Sequence, residues 1–244
     1  MTALLVSSKF KDKLTLHRET VHATWLFAVC LTFKSLKTSF SWFLVDLDNI
    51  LFTINEKTSA LTAQQIPAGP NDATFPLLAN VSIVPPDVNF NGSFFGAEIL
   101  ISEPSERFPD PLIYVSNRNL GPEFDPRGDT IAIFEFKSSP ITPAADTTVG
   151  RRFHPRQWEV RDEDPSTVNS ITGDFTLLSQ VFTGLKQIRS MALGRVADGG
   201  DEFLVAGANV DGGVVVFQRT DGGRNLSEVA RNTEIANRTS FVFV

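Results

Sequence analysis

The chain has 244 residues, 42% hydrophobic and 20% charged, with a formal net charge of -6. That balance suits one large packed domain or two small ones and excludes a chain disordered throughout. The acidic surplus argues against nucleic acid as a partner, since phosphate neutralisation needs a basic surface, and the single Cys30 excludes an internal disulfide.

Residues 1–45 form an atypical amino-terminal segment outside the pattern that organises the rest of the chain. Its apolar run, Ala23–Phe33, is short for a bilayer helix, which needs about 20 apolar residues. Lys34 and Lys37 follow it, where a signal peptide places small residues. The reading is therefore a cytoplasmic protein with no membrane partner. Sequons at Asn80, Asn91, Asn225 and Asn237 leave secretion as the alternative.

A repeat takes over in 46–244. Ile50–Glu56, Ile113–Arg118 and Phe203–Ala208 are short apolar strands, followed by second strands at Thr58–Gln64, Asp129–Phe136 and Gly213–Gln218. Ala97–Ser102 and Ile188–Leu193 precede the second and third copies. Leu78–Val84, Phe175–Phe182 and Asn225–Ala230 follow the three copies on their outer side. Four antiparallel strands recurring in this way predict an all-β chain built of β-propeller blades. The stretch 137–173 carries Pro140, Pro143, Pro155 and Pro165 among dense charge. It is expected to be a disordered insertion between the third and fourth strands of one blade. A closing strand is expected near 239–244.

In a blade, the start of the first strand and the end of the second lie on the same face of the disc. Alignment of the repeats on Phe52, Tyr114 and Leu204 makes Glu56, Arg118 and Ala208 equivalent, and it makes Glu98 equivalent to Arg189. Four charged side chains then converge on one rim of one channel. Charged groups seldom sit inside unless paired, so each could equally serve as an ion pair between blades. Their convergence on a concave channel mouth favours a ligand site. The three histidines and the cysteine have no metal-ligand spacing, and no Gly-x-Ser-x-Gly elbow or phosphate-cradling glycine motif occurs. Chemistry must come from carboxylates and arginines, with no metal or other cofactor.

The runs Ala97–Ile99, Leu112–Arg118 and Asp129–Phe134, with Gly184–Met191 and Arg238–Val244, resemble the seven-bladed lactonase propellers. That family includes 6-phosphogluconolactonases and the carboxy-cis,cis-muconate cyclases. The later runs are similar to its fungal branch, and the resemblance covers roughly 49–244 without the insertion. It implies a cofactor-free site at the channel mouth, with Glu56 and Arg118 catalytic and Arg189 holding substrate; the rim constellation adds Glu98 as a further catalytic carboxylate, and Asn117, beside Arg118, is taken as a substrate contact. The family's earlier blades, with a further arginine and a histidine, have no counterpart here. The resemblance therefore implies an incomplete disc, about half the blades, being the carboxyl-terminal portion of a longer pattern.

Two classes of function follow. One is an enzyme acting on a small anionic lactone or muconate, by lactone hydrolysis or by lactone-forming cyclisation, impaired by the missing blades. The other is a non-catalytic propeller fragment or interaction scaffold. Open blade edges invite pairing with other chains, and radial repeats need neighbours to bury their faces. Self-association of the purified chain is therefore expected in sedimentation velocity; a single monomeric species across a tenfold concentration range would contradict it.

Overall fold

The computed structural model describes residues 49–66, 76–88, 92–140 and 171–235, together with residues 240, 241 and 243. It also describes the backbone of four earlier strands: β1 (Ala3–Ser7), β2 (Thr15–Glu19), β3 (Val29–Thr32) and β4 (Phe40–Val45). The other strands are β5 (Ile50–Asn55), β6 (Ala60–Gln65), β7 (Leu77–Ser82), β8 (Phe94–Ile101), β9 (Ile113–Asn119), β10 (Thr130–Pro140), β11 (Ile171–Phe182), β12 (Lys186–Leu193), β13 (Phe203–Asp211), β14 (Val214–Thr220) and β15 (Asn225–Asn232).

These strands make three antiparallel blades, ordered β3-β4-β5-β6-β7, β8-β9-β10-β11 and β12-β13-β14-β15, beside a two-stranded β1-β2 ribbon. Each later blade is a meander of consecutive strands, so the chain runs outward from a first strand and then begins the next blade. The fold is an all-β propeller. The first blade starts earlier than the repeat suggests, since Leu44 pairs with Phe52 and Val45 with Leu51. Pro140 pairs with Ile171 at the tip of the long β10–β11 hairpin, so strand structure reaches into both ends of the expected insertion. Its centre, 141–170, lies outside the described residues, as does half of the expected closing strand. Residues 240, 241 and 243 are not in a strand.

Burial along the strands tells which blade faces are covered. β9 is buried at nearly every position, because the middle blade is packed on both sides. One core joins it to the first blade through Phe52, Ile54, Leu61, Ile99, Val115 and Phe134. A second joins it to the third blade through Tyr114, Ile133, Leu204, Ala206, Val215 and Phe217. A strand buried on both faces reads as a continuous apolar run, and Ile113–Val115 does. β13 begins instead with alternating half-buried and buried residues, since only one face of the third blade meets a described neighbour.

The same alternation corrects the repeat alignment. Tyr114 pairs with Ile133 and Phe52 with Ala63, each at the bulge where the outer strand slips. In the third blade that bulge follows Val216, whose partner is Val205. Val205, not Leu204, is the counterpart of Phe52 and Tyr114. Side chains alternate across a strand, so a slip of one residue exchanges faces. Ala208 is fully buried against the middle blade, and the position matching Glu56 and Arg118 is Asn209.

Aromatic contacts close the outer part of the first junction. Phe136 lies edge-on to Phe52 with ring centroids 5.0 Å apart, and Phe175 sits 5.1 Å from Phe136. On the side of the disc away from the site, Arg219 locks the second junction. It is 4% exposed, donates from Nε to the Tyr114 hydroxyl at 2.8 Å and from Nη1 to the Asp201 carbonyl at 2.7 Å. Its guanidinium lies 3.9 Å from the centre of the Phe108 ring. Tyr114 in turn donates to the Gly223 carbonyl at 2.6 Å.

Candidate functional site

The rim that carries the candidate residues is made where the second strand of each blade ends and the first strand of the next begins. Main-chain groups set the spacing. The Gly96 amide donates to the Glu56 carbonyl at 3.1 Å, and the Ser59 hydroxyl donates to the Phe94 carbonyl at 2.7 Å. A Cβ on Gly96 would lie 2.6 Å from Ile54 Cγ1, so β8 approaches β5 this closely only with glycine there.

Across that junction Arg118 Nη2 donates to Glu56 Oε1, with both side chains 15% exposed. The ion pair joins the first blade to the second. Arg118 Nε is buried and has no hydrogen-bond partner among the described residues, so the guanidinium is not fully used by Glu56.

Glu98 sits in a bulge of β8, where the register shifts between Gly96 and Ile99. Its amide is thereby freed from the ladder and donates to the Ser116 hydroxyl at 3.0 Å. Burial pushes its carboxyl up to about 7, only partly offset by an amide hydrogen bond from Met191 of the third blade. It therefore lies between the second and third blades. Phe95, three residues earlier on β8, is the cross-strand partner of Arg118.

The remaining candidates are placed differently. Asn117 is 1% exposed, and its amide is engaged with Thr130: Nδ2 donates to the hydroxyl at 2.8 Å and Oδ1 accepts the main-chain amide at 3.0 Å. It borders a shallow cleft lined also by Pro85, Phe94, Asn119, Asp129 and Phe182. Arg189 is exposed on β12 and enters no ion pair among the described residues. Leu100 and Ala192 are the partners of Tyr114 and Val205, so Glu98 corresponds to Ser190 and Arg189 to Ala97. The expected equivalence of Glu98 with Arg189 is thus off by one.

One rim carboxylate is absent from the sequence-derived set. Asp129 is 4% exposed, and burial raises its carboxyl to about 6 against three amide donors and the nearby charge of Arg118. Its position after Gly128 and before an apolar run is an ordinary turn signal, so composition gives no hint of it. No group of three or more potential metal ligands occurs among the described residues. None of the helices described is long and apolar enough to cross a membrane.

No family model matches the chain, and no curated protein matches it in sequence. Solved structures do match in fold. A protein from Lactobacillus plantarum aligns over 98% of this chain and 67% of its own length, with a TM-score of 0.51 at 14% identity. A Bacteroides uniformis structure, provisionally named a 6-phosphogluconolactonase, aligns over 82% of this chain and 49% of its own, with a TM-score of 0.46 at 13% identity. The chain thus spans about two thirds of one neighbour and half of the other.

Proposed function

We propose that the rim binds a small anionic cyclic ester and that the chain belongs, by chemistry as well as fold, to lactonase-type propellers. The observation that carries this reading is Glu98, a half-buried carboxyl pushed up to about 7 on the same blade that supplies Arg118 to the Glu56–Arg118 pair. A carboxyl that titrates near neutrality can take and return a proton at working pH. Arginine presents a planar, permanently charged fork to an anion.

In hydrolysis, Glu98 as carboxylate removes the proton from a water attacking the lactone carbonyl. The carbon–oxygen ester bond then breaks, and the proton passes to the departing ring oxygen. Arg118, steadied by Glu56, offsets charge developing on the carbonyl oxygen, while exposed Arg189 attracts the substrate's anionic group. In the cyclising direction, protonated Glu98 supplies the proton to carbon while the arginines hold the carboxylates. Glu56 is committed to Arg118, which favours Glu98 as the base.

The contrary reading takes the Glu56–Arg118 pair as an interblade staple in a non-catalytic scaffold. Lactone hydrolysis and muconate cyclisation, assayed on this chain and on a version extended to seven blades, separate the two. Little turnover is expected from the chain alone. In the extended version, Arg118→Ala and Glu98→Gln should each lower kcat/KM by roughly a hundredfold or more while each variant still unfolds in one cooperative transition. Unchanged turnover in Arg118→Ala leaves the staple reading standing.

A further inference from the structure

Asp129 touches main chain on both sides of the second junction. Its Oδ1 accepts the Asn119 amide at 3.0 Å, and its Oδ2 accepts the amides of Gln187 at 2.6 Å and Ile188 at 3.3 Å. Asn119 directly follows Arg118, and Ile188 directly precedes Arg189. One side chain therefore grips the backbone next to an arginine in the second blade and next to an arginine in the third.

The grip is itself built in. Gly128, at φ +84°, lies so close to Gly184 that a Cβ there would fall 2.7 Å from its backbone. The Asp129 amide donates to the Leu185 carbonyl at 2.7 Å, and the Thr183 hydroxyl donates to the Asp129 carbonyl at 2.7 Å. On the far side, Gln187 is held at φ +60°, a left-handed conformation that non-glycine residues rarely adopt. The Asp129 carboxylate holds the amide of that residue, and β12 is irregular on both sides of Ile188. An ionised carboxylate is an acceptor at both oxygens, whereas an asparagine would turn an amide donor toward one of these N–H groups.

We infer that Asp129 is the positioning residue of the rim, fixing Arg118 and Arg189 in one frame so that an anion can engage both. The inference rests on the reading of those arginines as anion holders. Asp129 itself does not touch the ligand. It acts through the main chain, as supporting residues around a preorganised site do.

The test uses the chain with sulfate as probe, because sulfate does not titrate between pH 5 and 8. Asp129→Asn is compared with Asp221→Asn, which removes an exposed carboxylate at the opposite end of the third blade. The expected result is sulfate affinity weakened about tenfold or more in Asp129→Asn and unchanged in Asp221→Asn. The Nε–H resonances of both Arg118 and Arg189 should move in Asp129→Asn. If sulfate binds the Asp129→Asn variant as tightly as the parent, or either arginine resonance stays in place, the inference is wrong while the anion-site reading survives. If the parent chain takes no sulfate, the anion-site reading falls, and this inference with it. Should Asp129→Asn fail to fold, the parent chain decides: both arginine resonances must titrate together with the Asp129 carboxyl carbon, and independent titration overturns the proposal.

Discussion

Arg219→Ala is expected to lower the unfolding free energy by about 3–5 kcal/mol, read from the midpoint of urea denaturation. The side chain is 4% exposed and carries its charge into the second junction. Carbonyl and hydroxyl oxygens and the Phe108 ring face meet that charge, with no carboxylate among the described residues in an ion pair with it. Truncation removes two hydrogen bonds and a ring contact at once, and it leaves a void behind Tyr114. Arg219→Met fills most of that volume and also removes the cost of a buried charge, so it should lose only about 1–2 kcal/mol. A loss below about 1 kcal/mol in Arg219→Ala would mean that the junction holds without it.

The second large effect runs with pH. Glu98 has its folded-state pKa raised from 4.5 to about 7 by burial. The folded protein therefore holds this proton more tightly than the unfolded chain does. The associated stability is fully present below pH 4.5 and is lost as pH rises through 7. At 1.36 kcal/mol per unit, the difference between the two ends is about 3 kcal/mol. Asp129, raised from 3.8 to about 6, acts in the same direction over a lower window. Asp125 and Glu228, held below their ordinary values by Arg127 and Arg231, work the other way in stronger acid. Stability should accordingly be highest near pH 4 and fall until about pH 7. Glu98→Gln keeps an acceptor for the Met191 amide and carries no charge, so it should remove about half of that fall and exceed the parent in stability at pH 8.5. Parallel stability-versus-pH curves for the two proteins would contradict this. A group that destabilises the fold at the pH where it can accept a proton is a common compromise at functional positions.

The blade repeat is legible in the sequence because strand periodicity and turn glycines are local signals. Ile50–Glu56, Ile113–Arg118 and Phe203–Ala208 are all recognisable as strands from their sequence pattern. Register is less so. The bulge in the outer part of each blade marks the true register, but nothing local in the sequence distinguishes Leu204 from Val205 as the match to Tyr114. Arg118 and Glu56 are singled out by charge at strand ends. Asp129 and Arg219 are not, since their meaning depends on main-chain groups 58 and 18 residues away. The first blade's inner strand, Phe40–Val45, is hidden for a similar reason: it lies in a segment with no repeat partner to compare it with.

Both junctions at the rim engage backbone atoms: Gly96 to Glu56 in one, beside the Arg118–Glu56 pair, and the amides gathered by Asp129 in the other. Contacts of that kind ask for a carbonyl, an amide and room for a glycine, and little else of the neighbouring sequence. Residues on the blade faces can therefore drift in compensating pairs without disturbing the spacing of the ring. Whole blades should also be exchangeable between distant propellers, provided the turn glycines and one acceptor side chain travel with them. An identity of 14% to a chain of the same fold is the kind of divergence such tolerance permits.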